Sequence, residues 1–153
     1  MTSEKQSNTG KLEADVSKVE NSISHLIPLE IDAALANFTT QGLLDVFLEM
    51  LGAFQEENEN RLIEIRLALQ KKEANKMART AHSLRGSFLS LGMESMANLL
   101  MELEQQALNR QTDWDLAEKF FERLDEGYHT FEKICADLVV YHLGLKNALK
   151  SGN

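Results

Sequence analysis

Proline, cysteine and aromatic residues are scarce in this chain. Pro28 is the one proline, Cys135 the one cysteine, and aromatic side chains make up 7% of the residues. With so little proline to interrupt it, and with many Leu, Ala, Glu and Lys, the chain favours helix over sheet. A lone cysteine excludes an intramolecular disulfide and a zinc-type cysteine cluster. No apolar run approaches the roughly 18 residues of a membrane span. The N-terminus has no apolar stretch of the kind a secretory signal needs. These absences lead us to expect a cytoplasmic, reducing compartment and no membrane partner. A net charge of −8 argues against general nucleic-acid binding.

What is present is enough for one helical domain. Hydrophobic residues make up 43% of the 153 and charged residues 26%, ordinary values for a globular protein of this length. Residues 1–26 are polar and poor in apolar side chains, and we expect a mobile tail there, followed by one domain over 27–150. Pro28 marks the end of that tail, and Leu29 to Asn37 fit a short helix. Thr39 or Thr40 is the expected cap of the next helix. Leu44, Phe47, Leu51, Phe54, Asn58, Leu62, Ile65 and Leu69 then recur at three- and four-residue intervals, the period of a long amphipathic helix. Asn58 alone interrupts that stripe.

A third helix is expected over Glu73 to Leu91, with Gly92 as its end signal. Its core stripe is Met77, Ala81, Leu84, Phe88 and Leu91. A fourth starts near Glu94, with Met96, Leu100, Leu103 and Ala107 on one side. After a polar break at Asn109 to Thr112, Thr112 and Asp115 resemble a capping box. The last stripe runs through Ala117, Phe120, Leu124, Tyr128, Phe131, Cys135 and Leu138, and the pattern extends to about Ala148. Trp114 is placed to staple the start of this helix. Val139, Val140, Leu143 and Leu145 are expected to complete the end of the bundle, with a second interface or a weak dimer contact as the alternative. The fold class is therefore all-α. The simplest way to bury four such stripes is an antiparallel four-helix bundle, with the short N-terminal helix closing one end.

The chemistry concentrates in Ala81-His82-Ser83-Leu84-Arg85-Gly86-Ser87. Residues three and four apart share a helix face, so Arg85 and Gly86 are neighbours of His82. At 100° per residue His82 lies about 130° from the centre of its core stripe, and Gly86 about 170°. A core histidine does not fit that position. Glycine inside a helix costs about 1 kcal/mol relative to alanine, and here it leaves an imidazole uncovered, open to another molecule. Charge points the same way. Five cations and one acid lie between Lys71 and Arg85, a local +4 that leaves −12 on the rest of the chain. Lys71 and Lys72 suit the end of the preceding helix. Arg79 and Arg85 flank the histidine by one turn and suit a phosphoryl group or an acidic partner.

This run, followed by Leu91-Gly92, resembles the signature of histidine phosphotransfer (HPt) domains of bacterial two-component relays. The resemblance extends to Leu29-Glu30-Ile31-Asp32-Ala33-Ala34-Leu35 and to Leu103-Glu104. It implies a phosphoryl carrier with no catalytic machinery or cofactor of its own. His82 would accept the phosphoryl group on Nε2 from an aspartate of a receiver domain, in a response regulator or hybrid kinase, and pass it to another. The receiver would bring the Mg²⁺. Glu104 would orient the ring through Nδ1, and Arg85 stands where lysine is more common. Arg79, Gly86, Ser87 and Leu89 complete the expected contact surface, and a monomer is expected. Met1 and the polar tail favour a free-standing protein.

Two other readings compete. His82 as direct substrate of a separate autokinase requires an ATP-binding domain, whose motifs are not present. A non-phosphorylated helical adaptor for receiver domains would need no nucleophile, so the intact His82-Arg85-Gly86 set weighs against it. The remaining histidines, His25, His129 and His142, lack a comparable setting and read as surface residues. No two histidines have the i,i+4 spacing of a helical zinc site, so no metal is expected. Cys135 falls on a core stripe and reads as a small buried hydrophobe.

Overall fold

The computed structural model describes residues 23–151, apart from the side chains of Leu143 and Lys146. The part of the expected tail before Ile23 lies outside them. Five helices and no strand are present among the described residues: α1 Leu26–Thr40, α2 Leu44–Lys71, α3 Ala74–Ser90, α4 Glu94–Leu108 and α5 Trp114–Ser151.

The three- and four-residue spacings behave as their period requires. Phe47, Leu51, Phe54, Leu62 and Ile65 of α2 are buried, as are Met77, Ala81, Leu84 and Phe88 of α3. Met96, Leu100 and Leu103 of α4 and Ala117, Phe120, Leu124, Tyr128, Phe131 and Cys135 of α5 join the same core. At its centre Phe54, Phe88 and Phe131 meet edge to face, with ring centroids 4.8 to 5.7 Å apart, the arrangement aromatic quadrupoles favour. Asn58 keeps its place in the stripe because its polar atoms are satisfied locally. Its Nδ2 donates to the Phe54 carbonyl at 2.8 Å, and its Oδ1 accepts from Arg61 at 2.8 Å.

Several helix ends differ from expectation. α1 begins at Leu26 and takes Pro28 into its first turn, where the backbone N–H has no helical acceptor and proline loses nothing. Thr39 and Thr40 close α1 instead of capping α2. Their hydroxyls donate to the Leu35 and Ala36 carbonyls at 2.7 Å, and Gly42, at φ +71°, makes the turn. At the start of α5 the cap is Asp113, one residue after the threonine. Its Oδ1 accepts from the Leu116 N–H at 3.0 Å, while Thr112 turns back to the Asn109 carbonyl. Trp114 is the first residue of α5, inside the cap and not before it, and packs against the core.

Two contacts orient the longest helices. Asp45, early in α2, meets His142, late in α5, at 3.0 Å, and Arg66, late in α2, meets Asp125, early in α5, at 3.1 Å. The two helices run in opposite directions. α1 is tied to α4 by Glu30, whose carboxylate accepts from the Ser95 N–H at 3.0 Å and from the Ser95 hydroxyl. A carboxylate at a helix N-terminus meets both unpaired N–H groups and the positive end of the dipole. Beyond Leu138 no described side chain of α5 belongs to the core. Val140 and Leu145 are 70% and 46% exposed, so they do not complete the bundle end. Leu143 lies outside the described side chains.

Candidate functional site

α3 and α4 share the most extensive helix–helix contact in the molecule, and the candidate site lies on its outer edge. The turn between them explains why the two helices lie so close. Gly92 adopts φ +77°, a left-handed conformation that costs other residues. The Gly92 N–H bonds to the Leu89 carbonyl and the Met93 N–H to the Phe88 carbonyl. With the chain reversed in so few residues, His82 of α3 comes opposite Glu104 of α4.

The His82 side chain is 63% exposed, and its Nδ1 lies 3.0 Å from Glu104 Oε1. An ionised carboxylate only accepts hydrogen bonds, so Nδ1 is the donor and the lone pair falls on Nε2. Arg85 Nη2 also approaches Nδ1, at 3.3 Å. A nitrogen already donating to Glu104 offers it no lone pair, so this is an approach and not a second hydrogen bond. The partner of Arg85 is the other carboxylate oxygen, 3.5 Å from Nη1. That oxygen, Glu104 Oε2, is buried without a hydrogen bond, and the guanidinium balances its charge across the gap. His82, Arg85 and Glu104 thus form one connected group.

The remaining expected residues divide. Gly86 is exposed, and a Cβ there would meet nothing within 4 Å. Leu89 is 53% exposed, and Arg79 is exposed one turn before His82. Ser87 is drawn elsewhere. Its Oγ accepts from Arg61 Nη1 of α2 at 3.1 Å and donates to the Ser83 carbonyl at 3.4 Å. Arg61 escaped the sequence reading, and its only sequence signal was its place one turn after the polar break at Asn58.

His129, Cys135 and Tyr128 lie on α5, away from this group. His129, 69% exposed, has Nδ1 2.8 Å from the Asp125 carbonyl, and that hydrogen bond holds its pKa above the ordinary value. Burial pushes the Cys135 thiol up to about 12 and raises the Tyr128 hydroxyl as well. Among the described residues no cluster of three or more His, Cys, Asp or Glu side chains is arranged to hold a metal. No described helix is long and apolar enough to cross a membrane.

The His82 imidazole is exposed, held by a carboxylate from the next helix and flanked by open space at Gly86, so another molecule can reach it. The family comparison agrees. The model of the Hpt domain matches residues 49–134, more than half of the chain, and this chain belongs to the Hpt domain family. The match spans most of α2, all of α3 and α4, and α5 as far as Ile134, so it includes His82, Arg85 and Glu104. No curated protein and no solved structure matches the chain. Membership carries the general activity of the family, histidine phosphotransfer in phosphorelays, and its general partner, the receiver domain.

Proposed function

We propose that this chain is a phosphoryl carrier in which His82 takes a phosphoryl group from the aspartyl phosphate of one receiver domain and gives it to the aspartate of another. The observation that carries this reading is the 3.0 Å contact between His82 Nδ1 and Glu104 on an otherwise exposed ring. With its proton held at Nδ1, the ring attacks phosphorus through the Nε2 lone pair. An N–P bond forms, the P–O bond to the aspartate breaks, and the carboxylate leaves with the electron pair. Nδ1 keeps its proton, so the phosphorylated ring carries positive charge. Glu104 stabilises that charge, as a carboxylate does behind a catalytic histidine. Arg85 faces the phosphoryl oxygens, where a guanidinium forms charge-assisted hydrogen bonds. Transfer onward reverses each bond change. The receiver supplies the Mg²⁺ that screens the phosphoryl charge.

Arg79, Gly86 and Leu89 form the surface on which the receiver docks. Gly86 leaves room for its loops, and Arg79 contributes charge. Ser87 belongs to the support of this surface through Arg61. The carrier domain is residues 27–150, an antiparallel four-helix bundle of α2 to α5 with α1 across one end, acting as a cytoplasmic monomer. Residues 1–26 precede it as a tail whose last residues enter the fold. A purified, phosphorylated receiver tests the reading. Wild-type protein should take up label that is lost in acid and kept in base, and His82→Gln should take up none. Label retained by His82→Gln would remove His82 from the chemistry.

A further inference from the structure

On the face where α1, α4 and α5 meet lies an open groove of about 790 Å³. Its apolar lining includes Ile23, Leu26 and Leu29 on one side, Leu99 and Met101 of α4, and Phe120 of α5. Leu26 and Leu29 are 38% and 65% exposed. Ile23 sits at the groove and packs against the core. It also reaches the backbone of α5 at Gly127, where a Cβ would come within 2.8 Å of Ile23 Cδ1 and 2.7 Å of Met96 Sδ. The Ser24 hydroxyl lies 3.4 Å from that of Thr130. The described chain thus begins at the groove, where Ile23 and Ser24 are anchored.

That preceding chain has a matching pattern. Leu12, Val16, Val19, Ile23 and Leu26 recur at intervals of four, three, four and three, the spacing that keeps apolar side chains on one helix face. Apart from Ala14, the residues between them are polar, among them Glu13, Asp15, Ser17, Lys18 and Glu20. As helix, Leu12 to Ile23 spans about 16 Å at 1.5 Å per residue, and the α4 wall from Glu94 to Glu102 about 12 Å. The stripe is long enough to cover the wall. We infer that residues 12–22 of this chain dock in the α1/α4/α5 groove, with Leu12, Val16 and Val19 laid over Leu29, Leu99 and Phe120. A tethered segment needs little intrinsic affinity, because its effective concentration is about millimolar. A separate partner has no such advantage. This docking is independent of the phosphotransfer proposal, and its test reads no phosphoryl group.

Single cysteines in the full chain test the inference. Val16→Cys combined with Asn98→Cys places two thiols across the groove. Cys135 is fully buried, with its thiol pKa pushed up to about 12, and stays out of the reaction. On mild oxidation the pair should close within one molecule, at a rate unchanged by dilution and about tenfold faster than Ser17→Cys with Asn98→Cys, which turns the thiol away from the stripe. Adding Val19→Asp should slow closure to the Ser17→Cys rate. In the parent chain, Val16→Asp with Val19→Asp should shift the methyl resonances of Leu29 and Leu99. Cross-linking between molecules would assign the groove to a second copy and overturn the inference. Equal rates for the Val16→Cys and Ser17→Cys pairs, or unmoved methyl resonances, would overturn it as well.

Discussion

Gly86 and Gly92 stand inside and just beyond the same helix, and alanine is expected to act on them with opposite sign. At Gly86 a Cβ meets nothing within 4 Å, and the only effect left is helix propensity, so Gly86→Ala should stabilise by up to about 1 kcal/mol. At Gly92, with φ +77°, alanine should destabilise by about 1–2 kcal/mol, the cost of a left-handed residue with a Cβ. Urea denaturation of both variants measures the pair, and like signs would contradict this account. His129 offers a second test at this scale. Its hydrogen bond to the Asp125 carbonyl raises its pKa above 6.5, the Asp125 carboxylate adds to that, and Arg66 opposes it. Because the folded value is the higher one, its stabilisation is complete below pH 6.5 and fades as pH rises through the folded pKa. Arg66→Ala should move the His129 pKa further up in an NMR titration, by removing a like charge and freeing Asp125. No movement would show that the guanidinium field does not reach the ring. The candidate site was legible at the level of residue type and spacing: His82, Arg85 and Gly86 share a face by helix period alone. The role of Ser87 was not, because its partner Arg61 arrives from another helix and a long-range contact leaves no periodic trace.

Elements were legible in their stripes and less so at their ends. Every long apolar repeat became a helix, since burial on one face is what the period encodes. Ends depend on single hydrogen bonds between competing neighbours. Thr39 and Thr40 bond backwards into α1, a common use of threonine hydroxyls, and so are lost to α2. At α5, Asp113 takes the capping position that Thr112 and Asp115 together had suggested. Asp113→Ala should therefore cost about 1 kcal/mol, the usual worth of an N-cap, and Thr112→Ala a few tenths at most. Thermal melts of the two variants decide between them, and a larger loss for Thr112→Ala would restore the capping box.

At the scale of the whole molecule, the core and the chain do not end together. The three phenylalanines Phe54, Phe88 and Phe131 mark the middle of the core, and among the described side chains of α5 Cys135 is the last that is fully buried. The Hpt match ends at residue 134, close to the same level, while α5 continues to Ser151. His142 and Asp45 tie this stretch to α2, and farther along Leu145 and Leu149 are 46% and 73% exposed. An isolated helix shorter than about 12–15 residues is marginal in water, so the end of α5, with Leu145 and Leu149 facing solvent, is expected to be held less firmly than its middle. One continuous helix thus passes from a covered middle to an end with exposed leucines, and its amides should record the passage as a graded clock. Hydrogen exchange is expected to be slowest near Phe131 and Cys135, where opening requires global unfolding, and to quicken turn by turn toward Ser151. The steepest step is expected just past His142. Uniform protection along the whole helix would mean that something else in solution holds its end.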